Sequence, residues 1–295
     1  MNSFQPTTRE PVIEFRDVSL SVGGKALVAG LNFDVARGET LVLVGRSGSG
    51  KTTTLKLINR LLEPTAGEVR VEGKPTLEWD AIRLRRRVGY VIQETGLFPH
   101  FTVERNVALV PRLEGWPEGR SRERVRELLE MVGLAPDAFA GRFPQELSGG
   151  QRQRVGVARA LAADPPVILM DEPFGALDPL TRVQLQREFG ALASRLKKTI
   201  IFVTHDIREA FTLASRIGLF KDGRLVVLGE PSEFIASDEP EARAFLETLR
   251  VADFGPGVEG ATIAPSLAGN EPETTRPEFE AAGPKPETRK PNELA

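Results

Sequence analysis

The stretch GRSGSGKT at 45–52 places three glycines ahead of a lysine and a threonine at the spacing G-x-x-x-x-G-K-T. Glycines at 45, 48 and 50 let the backbone curl with its N–H groups inward, which is how a loop cradles phosphate. Lys51 then carries charge to the β- and γ-phosphates, and the Thr52 hydroxyl is placed for Mg²⁺. The competing reading is a structural glycine turn. Context argues against it, because the apolar TLVLV precedes the loop and the helical run TTTLKLINRLL follows it. A second group is PVILMDEP at 166–173, in which a buried strand ends on two acids. Asp171 suits Mg²⁺ held through water. Glu172, pointing elsewhere, is the candidate general base for an attacking water. Taken alone, these acids could be a solvated turn; beside a phosphate loop they read as chemistry. A third group is LSGGQRQR at 147–154, where Ser148, Gly149 and Gly150 open a helix. Backbone N–H groups and a hydroxyl at such a terminus form an anion site. This one has no lysine to offset phosphate charge, so its charge partner must lie elsewhere.

These groups need a scaffold, and the chain supplies one by alternation. TLVLV (40–44), VGYVI (88–92), PVILM (166–170) and TIIFV (199–203) are short, nearly continuous apolar runs of the kind buried in parallel sheets. Between them lie amphipathic stretches. Leu185, Phe189, Leu192 and Leu196 recur at helical spacing, as do Val125, Leu128, Leu129 and Val132 before a stop at Gly133. Strands alternating with helices predict an α/β fold with a mainly parallel sheet. VIEFRDVSLSVGGKALVAGLNFDV predicts an antiparallel hairpin meander ahead of that sheet. RIGLFKDGRLVVLG (216–229) predicts a hairpin turning at Asp222-Gly223.

Composition narrows the function classes. The chain has 295 residues, 40% apolar and 27% charged, as expected of a soluble globular protein. A net charge of −2 gives no sign of a general polyanion binder, and no nucleic-acid partner is expected. There is no cysteine and only two histidines, His100 and His205, which excludes disulfides, thiolate metal sites and a multi-histidine metal centre. No apolar run approaches the ~20 residues that span a bilayer, and MNSFQPTTREP lacks a signal-peptide core. The expectation is a soluble protein that meets a membrane only through a partner. After about Val251, proline, glycine, glutamate and threonine dominate. Residues 251–295 are therefore expected to be a disordered tail.

Taken jointly, GRSGSGKT, LSGGQ, ILMDE and FVTHD closely resemble the motifs of ABC-transporter nucleotide-binding subunits over roughly residues 12–250. The resemblance implies a P-loop NTPase core, an N-terminal antiparallel β subdomain and a helical signature subdomain inserted at about 94–160. An arm at 1–11 would precede the domain. It implies ATP and Mg²⁺ as ligands. ATP contacts would come from Gly45, Arg46, Ser47, Gly48, Ser49, Gly50, Lys51, Thr52, Thr53 and Gln93. Thr52, Gln93 and Asp171 would hold the metal, and Lys51, Glu172 and His205 would serve hydrolysis. Gln93 matches the glutamine that senses the metal and links the site to a membrane partner. His205 matches the switch histidine that contacts the γ-phosphate, and Asp178 of GALD matches a dimer-interface aspartate. His100 has no such context and would only shape the loop after Gln93. In this family two subunits pack head to tail, so Ser148, Gly149, Gly150 and Gln151 would cover ATP held by the partner, where the partner's lysine supplies the charge. One departure stands out: the aromatic residue on which such subunits stack adenine corresponds to Val22, which offers only apolar contact.

VIQETGLFPHFTVERNVALVPRLEGW (91–116) and its flanks are similar to the ATPases of osmoprotectant importers, which serve glycine betaine, choline and carnitine uptake. That resemblance implies integral membrane permease subunits and, indirectly, a substrate-binding protein, with this chain peripheral on the cytoplasmic face of the membrane. Several such ATPases append paired CBS modules; the Pro/Glu-rich tail stands in that place here. Nitrate, sulfonate or taurine importers share DEPFGALDPLTR-like segments and are the alternative within transport. Soluble ABC ATPases of ribosomes or DNA usually carry two such domains or a long coiled-coil insertion. A P-loop kinase or GTPase would lack LSGGQ.

Overall fold

Alternating apolar residues in PVIEFRDVSLSV and KALVAGLNFDVA build β1 (Pro11–Val22) and β2 (Lys25–Ala36), an antiparallel hairpin. Its turn residues Gly23 and Gly24 have φ of 58° and 80°, the positive values that a primed hairpin turn requires. Phe15 stacks on Phe33 across the pair, with ring centroids 4.4 Å apart. The apolar run TLVLVG forms β3 (Thr40–Gly45), and the glycine loop then leads into α1 (Lys51–Ile58). In this computed structural model the described residues are 10–93, 96–175 and 177–253, without the side chains of 193–196 and 250–253. Leu196 of the predicted helical face falls among those side chains.

β4 (Ala66–Val71) returns to pair with β1, and β5 (Lys74–Pro75) pairs with β4, so the first sheet runs β2-β1-β4-β5. The sequence reading identified only the hairpin of this sheet. AGEVRV buries just Val69 and Val71, too short an apolar signal to stand out from its surroundings. Next come α2 (Ala81–Arg87) and β6 (Val88–Val91). A run of helices follows: α3 (Val103–Val107), α4 (Leu109–Leu113), α5 (Glu118–Met131), α6 (Pro136–Phe139) and α7 (Gly149–Leu161). α5 buries Val125, Leu128 and Leu129, and the chain leaves it through Gly133 at φ 72°.

The remaining elements are β7 (Val167–Asp171), α8 (Pro179–Leu196), β8 (Thr199–Val203), α9 (Ile207–Leu213), β9 (Arg216–Lys221), β10 (Arg224–Gly229), α10 (Pro231–Ile235) and α11 (Pro240–Asp253). The second sheet runs β10-β9-β3-β8-β7-β6, parallel throughout except for the β9–β10 hairpin. That hairpin turns at Asp222-Gly223, with φ of 48° and 77°. Period-two alternation buries both faces of this sheet. Val42, Val44, Met170 and Phe202 pack with α5, α7 and α8, whereas Leu41, Leu43, Leu169 and Ile201 pack toward α1 and the first sheet. The architecture is thus the expected α/β fold: a mainly parallel core sheet, an N-terminal antiparallel sheet and a helical segment. α11 carries helical backbone to Asp253, three residues past the expected boundary at 250; the rest of the predicted tail and residues 1–9 lie outside the described residues.

Strand order decides what meets. β3, β8, β7 and β6 are neighbours and run the same way, so the segments leaving their carboxyl ends gather on one edge. Those segments carry the glycine loop, Thr204-His205, Asp171-Glu172 and Gln93.

Candidate nucleotide site

The glycine loop is tight because neighbouring backbone leaves no room for side chains. A Cβ on Gly45, at φ 151°, would lie 2.4 Å from the Phe220 carbonyl oxygen of β9. One on Gly50, at φ 109°, would lie 2.9 Å from the Leu27 oxygen of β2. Lys51 opens α1 and is only 4% exposed. Its Nζ reaches back across the loop to donate to the carbonyls of Gly45 (2.7 Å) and Arg46 (2.9 Å). Burial lowers the Lys51 pKa, and the negative charges of Glu172 and Asp171 oppose that shift. Arg46 turns outward, where its Nε donates to Glu241 of α11 at 2.5 Å.

Thr52 Oγ1 donates to Asp171 Oδ1 at 2.8 Å, which brings the loop threonine to the β7 acid. Tyr90 of β6, which the sequence reading passed over, donates to Asp171 Oδ2 at 3.3 Å. Burial raises the Asp171 pKa, partly offset by the hydrogen bonds from Thr52 and Tyr90. The next residue breaks from the strand. Glu172 has φ 45°, a left-handed conformation that is strained for a residue with a side chain. Its N–H is held by Val203 O at 2.9 Å, and its own carbonyl accepts the Gly175 N–H at 3.1 Å. This twist is why two adjacent acids serve different places. Glu172 Oε2 accepts from Gln93 Nε2 at 3.3 Å and lies 3.2 Å from His205 Nδ1. Residues at the ends of β3, β6 and β8 therefore converge on the carboxylate pair that closes β7.

The signature residues stand apart from this cluster. Ser148 caps α7 in a reciprocal box: it accepts the Gln151 N–H at 3.2 Å, and Gln151 Oε1 accepts the Ser148 N–H at 2.9 Å. Ser148 is exposed and Gly149 half-buried, while a Cβ on Gly150 would meet Thr181 Cγ2 at 2.8 Å. Asp178 accepts the Thr181 N–H at 3.0 Å, and the hydrogen bonds from Thr181 hold its carboxyl below the usual range. Beyond Gln93, the Gly96 carbonyl accepts from Arg159 of α7 at 2.7 Å, joining that loop to the helical segment. His100 sits edge-on to Phe101 and Phe98, centroids 4.6 and 6.0 Å away, in an aromatic cluster where Phe98 is 40% exposed. Val22 ends β1 with 57% exposure.

The oxygen donors fit a magnesium ion. A threonine hydroxyl and one carboxylate, hydrogen-bonded to each other, form the donor set that Mg²⁺ uses when phosphate oxygens complete its shell.

The ABC transporter family model matches residues 28–175. The chain is 51% identical over 238 residues to the glycine betaine/carnitine/choline transport ATP-binding protein OpuCA of Bacillus subtilis, covering 80% of this chain and 62% of that protein. It is 53% identical over 219 residues to the choline transport ATP-binding protein OpuBA of the same organism, covering 74% of this chain and 57% of that one. The chain thus spans less than two thirds of the length of either. Among solved structures, the dimeric ATP-binding cassette MJ0796 in a post-hydrolysis state with ADP and Pi is 35% identical. It superposes with a TM-score of 0.66, covering 74% of this chain and 98% of the cassette.

Proposed function

Because the chain belongs to the ABC transporter family, we propose that it is the ATP-binding and ATP-hydrolysing subunit of an importer that takes up osmoprotectant quaternary amines such as glycine betaine. The observation that carries the hydrolytic part is the environment of Glu172. Its carboxylate is fixed between Gln93 and His205, next to an acid that already holds the loop threonine.

In this reading the loop backbone and Lys51 hold the triphosphate. Lys51 exchanges its loop carbonyls for phosphate oxygens, and its low exposure strengthens that attraction. Thr52 and Asp171, with Gln93, would hold Mg²⁺, which neutralises charge on the β- and γ-phosphates. Glu172 takes the proton of the attacking water, and His205 keeps the carboxylate oriented from Oε2. Ser148, Gly149, Gly150 and Gln151 act across a head-to-tail pair of subunits; the exposure of Ser148 at the start of α7 and the dimeric cassettes among the solved relatives support this. The exposed aromatic cluster at Phe98, His100 and Phe101, one loop beyond Gln93, is the surface offered to a membrane permease, which would hold the chain at the cytoplasmic face of the membrane. The glycine betaine, carnitine and choline transport served by OpuCA and OpuBA supports quaternary amines as the cargo.

The test is reconstitution. The chain is combined in proteoliposomes with the membrane and binding proteins encoded beside it, and ATP-dependent uptake of labelled glycine betaine is measured against nitrate and taurine. Uptake of betaine alone supports the reading. Uptake of nitrate or taurine alone would transfer the chain to the other importer class.

A further inference from the structure

Glu209 is a carboxylic acid that the chemistry above leaves unused, yet it is only 4% exposed. A buried carboxylate is costly unless hydrogen-bonded, so its partners are informative. Gln186 Nε2 of α8 donates to it at 2.9 Å. Glu209 lies in the first turn of α9, four residues beyond His205. Just before that helix, the Thr204 hydroxyl oxygen accepts the Asp206 N–H at 3.0 Å. The Thr204 N–H in turn donates to Leu43 O of β3 at 3.1 Å. His205 lies between Thr204 and Asp206. Its own side chain is 59% exposed, so the fixed backbone on either side, rather than enclosure, sets its direction.

The other end of the arrangement leads to the loop after Glu172. Gln186 is one helical turn beyond Arg182, which places both side chains on one face of α8. Arg182 donates to the carbonyls of Phe174 (3.2 Å), Gly175 (3.3 Å) and Leu177 (3.1 Å). α8 therefore grips that loop with one residue and Glu209 with the next on the same face. Burial raises the Glu209 pKa, while the nearby Thr204 hydroxyl, the bond from Gln186 and the Arg182 charge oppose the shift.

We propose that Glu209 is a positioning residue for His205: through Gln186 it locks the start of α9, and with it the turn carrying the imidazole, to the helix that grips the loop after Glu172. Displacement of that loop, passed through Arg182 and Gln186, moves His205 relative to Glu172 Oε2, which lies 3.2 Å away in this structure. This inference rests on the proposed hydrolytic roles of Glu172 and His205.

Two histidines make the test direct. Untagged full-length protein has only the imidazole signals of His100 and His205, and His100→Gln assigns them. Gln186→Met removes the donor at nearly constant length and touches no residue of the turn. In that variant the His205 resonance should shift or broaden while His100 stays fixed. The ATPase kcat should fall about tenfold with KM changed less than about twofold. If Gln186→Met does not fold, Gln186→Asn withdraws the same amide by one methylene. An unmoved His205 signal in a folded variant overturns the proposal, whatever the rate. A wild-type protein that hydrolyses no ATP would instead overturn the functional reading, and the spectrum would still decide the positioning.

Discussion

At the scale of residues, two positions carry separate predictions. Glu172→Gln keeps the size and the left-handed backbone of the original but removes the proton acceptor. ATP binding should persist, while hydrolysis should fall by about 10²–10⁴-fold, the usual range for a general base. Steady-state phosphate release checks this; a variant holding more than half the wild-type rate removes Glu172 from that role. Val22 stands at the end of β1 with most of its surface in solvent, so a larger ring fits there without displacing neighbours. Base stacking on an aromatic is worth about 1–3 kcal/mol in nucleic-acid complexes. Val22→Tyr should therefore tighten ATP binding on the order of tenfold and sharpen the preference for adenine, as read by calorimetric titration. A Kd that does not move would place the base elsewhere.

At the scale of elements, the strand–loop–helix unit explains which glycines matter most. Gly45 and Gly48 both have positive φ, yet only Gly45 faces backbone: its Cβ would lie 2.4 Å from Phe220 O, whereas a Cβ on Gly48 meets nothing within 4 Å. Gly48→Ala should cost about 1–2 kcal/mol, the price of a left-handed residue with a Cβ. Gly45→Ala adds a collision that β9 cannot relieve, so its melting temperature should fall further, by at least about 5 °C against wild type. Equal losses in thermal melts of the two variants would show that close approach is not what requires glycine at 45.

At the scale of the whole molecule, the separation of Ser148–Gln151 from Lys51 poses the main question. Lys51→Ala on one subunit and Gly149→Asp on the other damage both sites of either homodimer. In a mixed pair, a signature that acts across the interface puts both lesions into one site and leaves the other whole. A signature that acts within its own chain leaves no intact site. A Cβ on Gly149 would sit 3.6 Å from Leu177 Cδ2, an ordinary contact, so the aspartate acts through its charge rather than by crowding. Nucleotide occupancy, with Glu172→Gln added to slow turnover, should be one ATP per mixed pair; none would rule out the shared site.

What is local was legible in the chain before any fold. The glycine loop with its lysine and threonine, the apolar strands ending on Asp171 and before His205, and the hairpins at Gly23-Gly24 and Asp222-Gly223 depend on spacing, turn chemistry and short apolar runs, which a chain displays without being folded. What distant segments share emerges only when the chain folds. The pairing of β4 with β1, the approach of Phe220 to Gly45, the hydrogen bond from Tyr90 to Asp171 and the bond from Gln186 to Glu209 join residues of unremarkable type. None carries a local signal, because periodicity shows that a side chain is buried but not what it is buried against. The left-handed turn at Glu172 belongs with these. A glutamate gives no warning of positive φ, and the twist is imposed by Val203 and Gly175, which hold its backbone from outside.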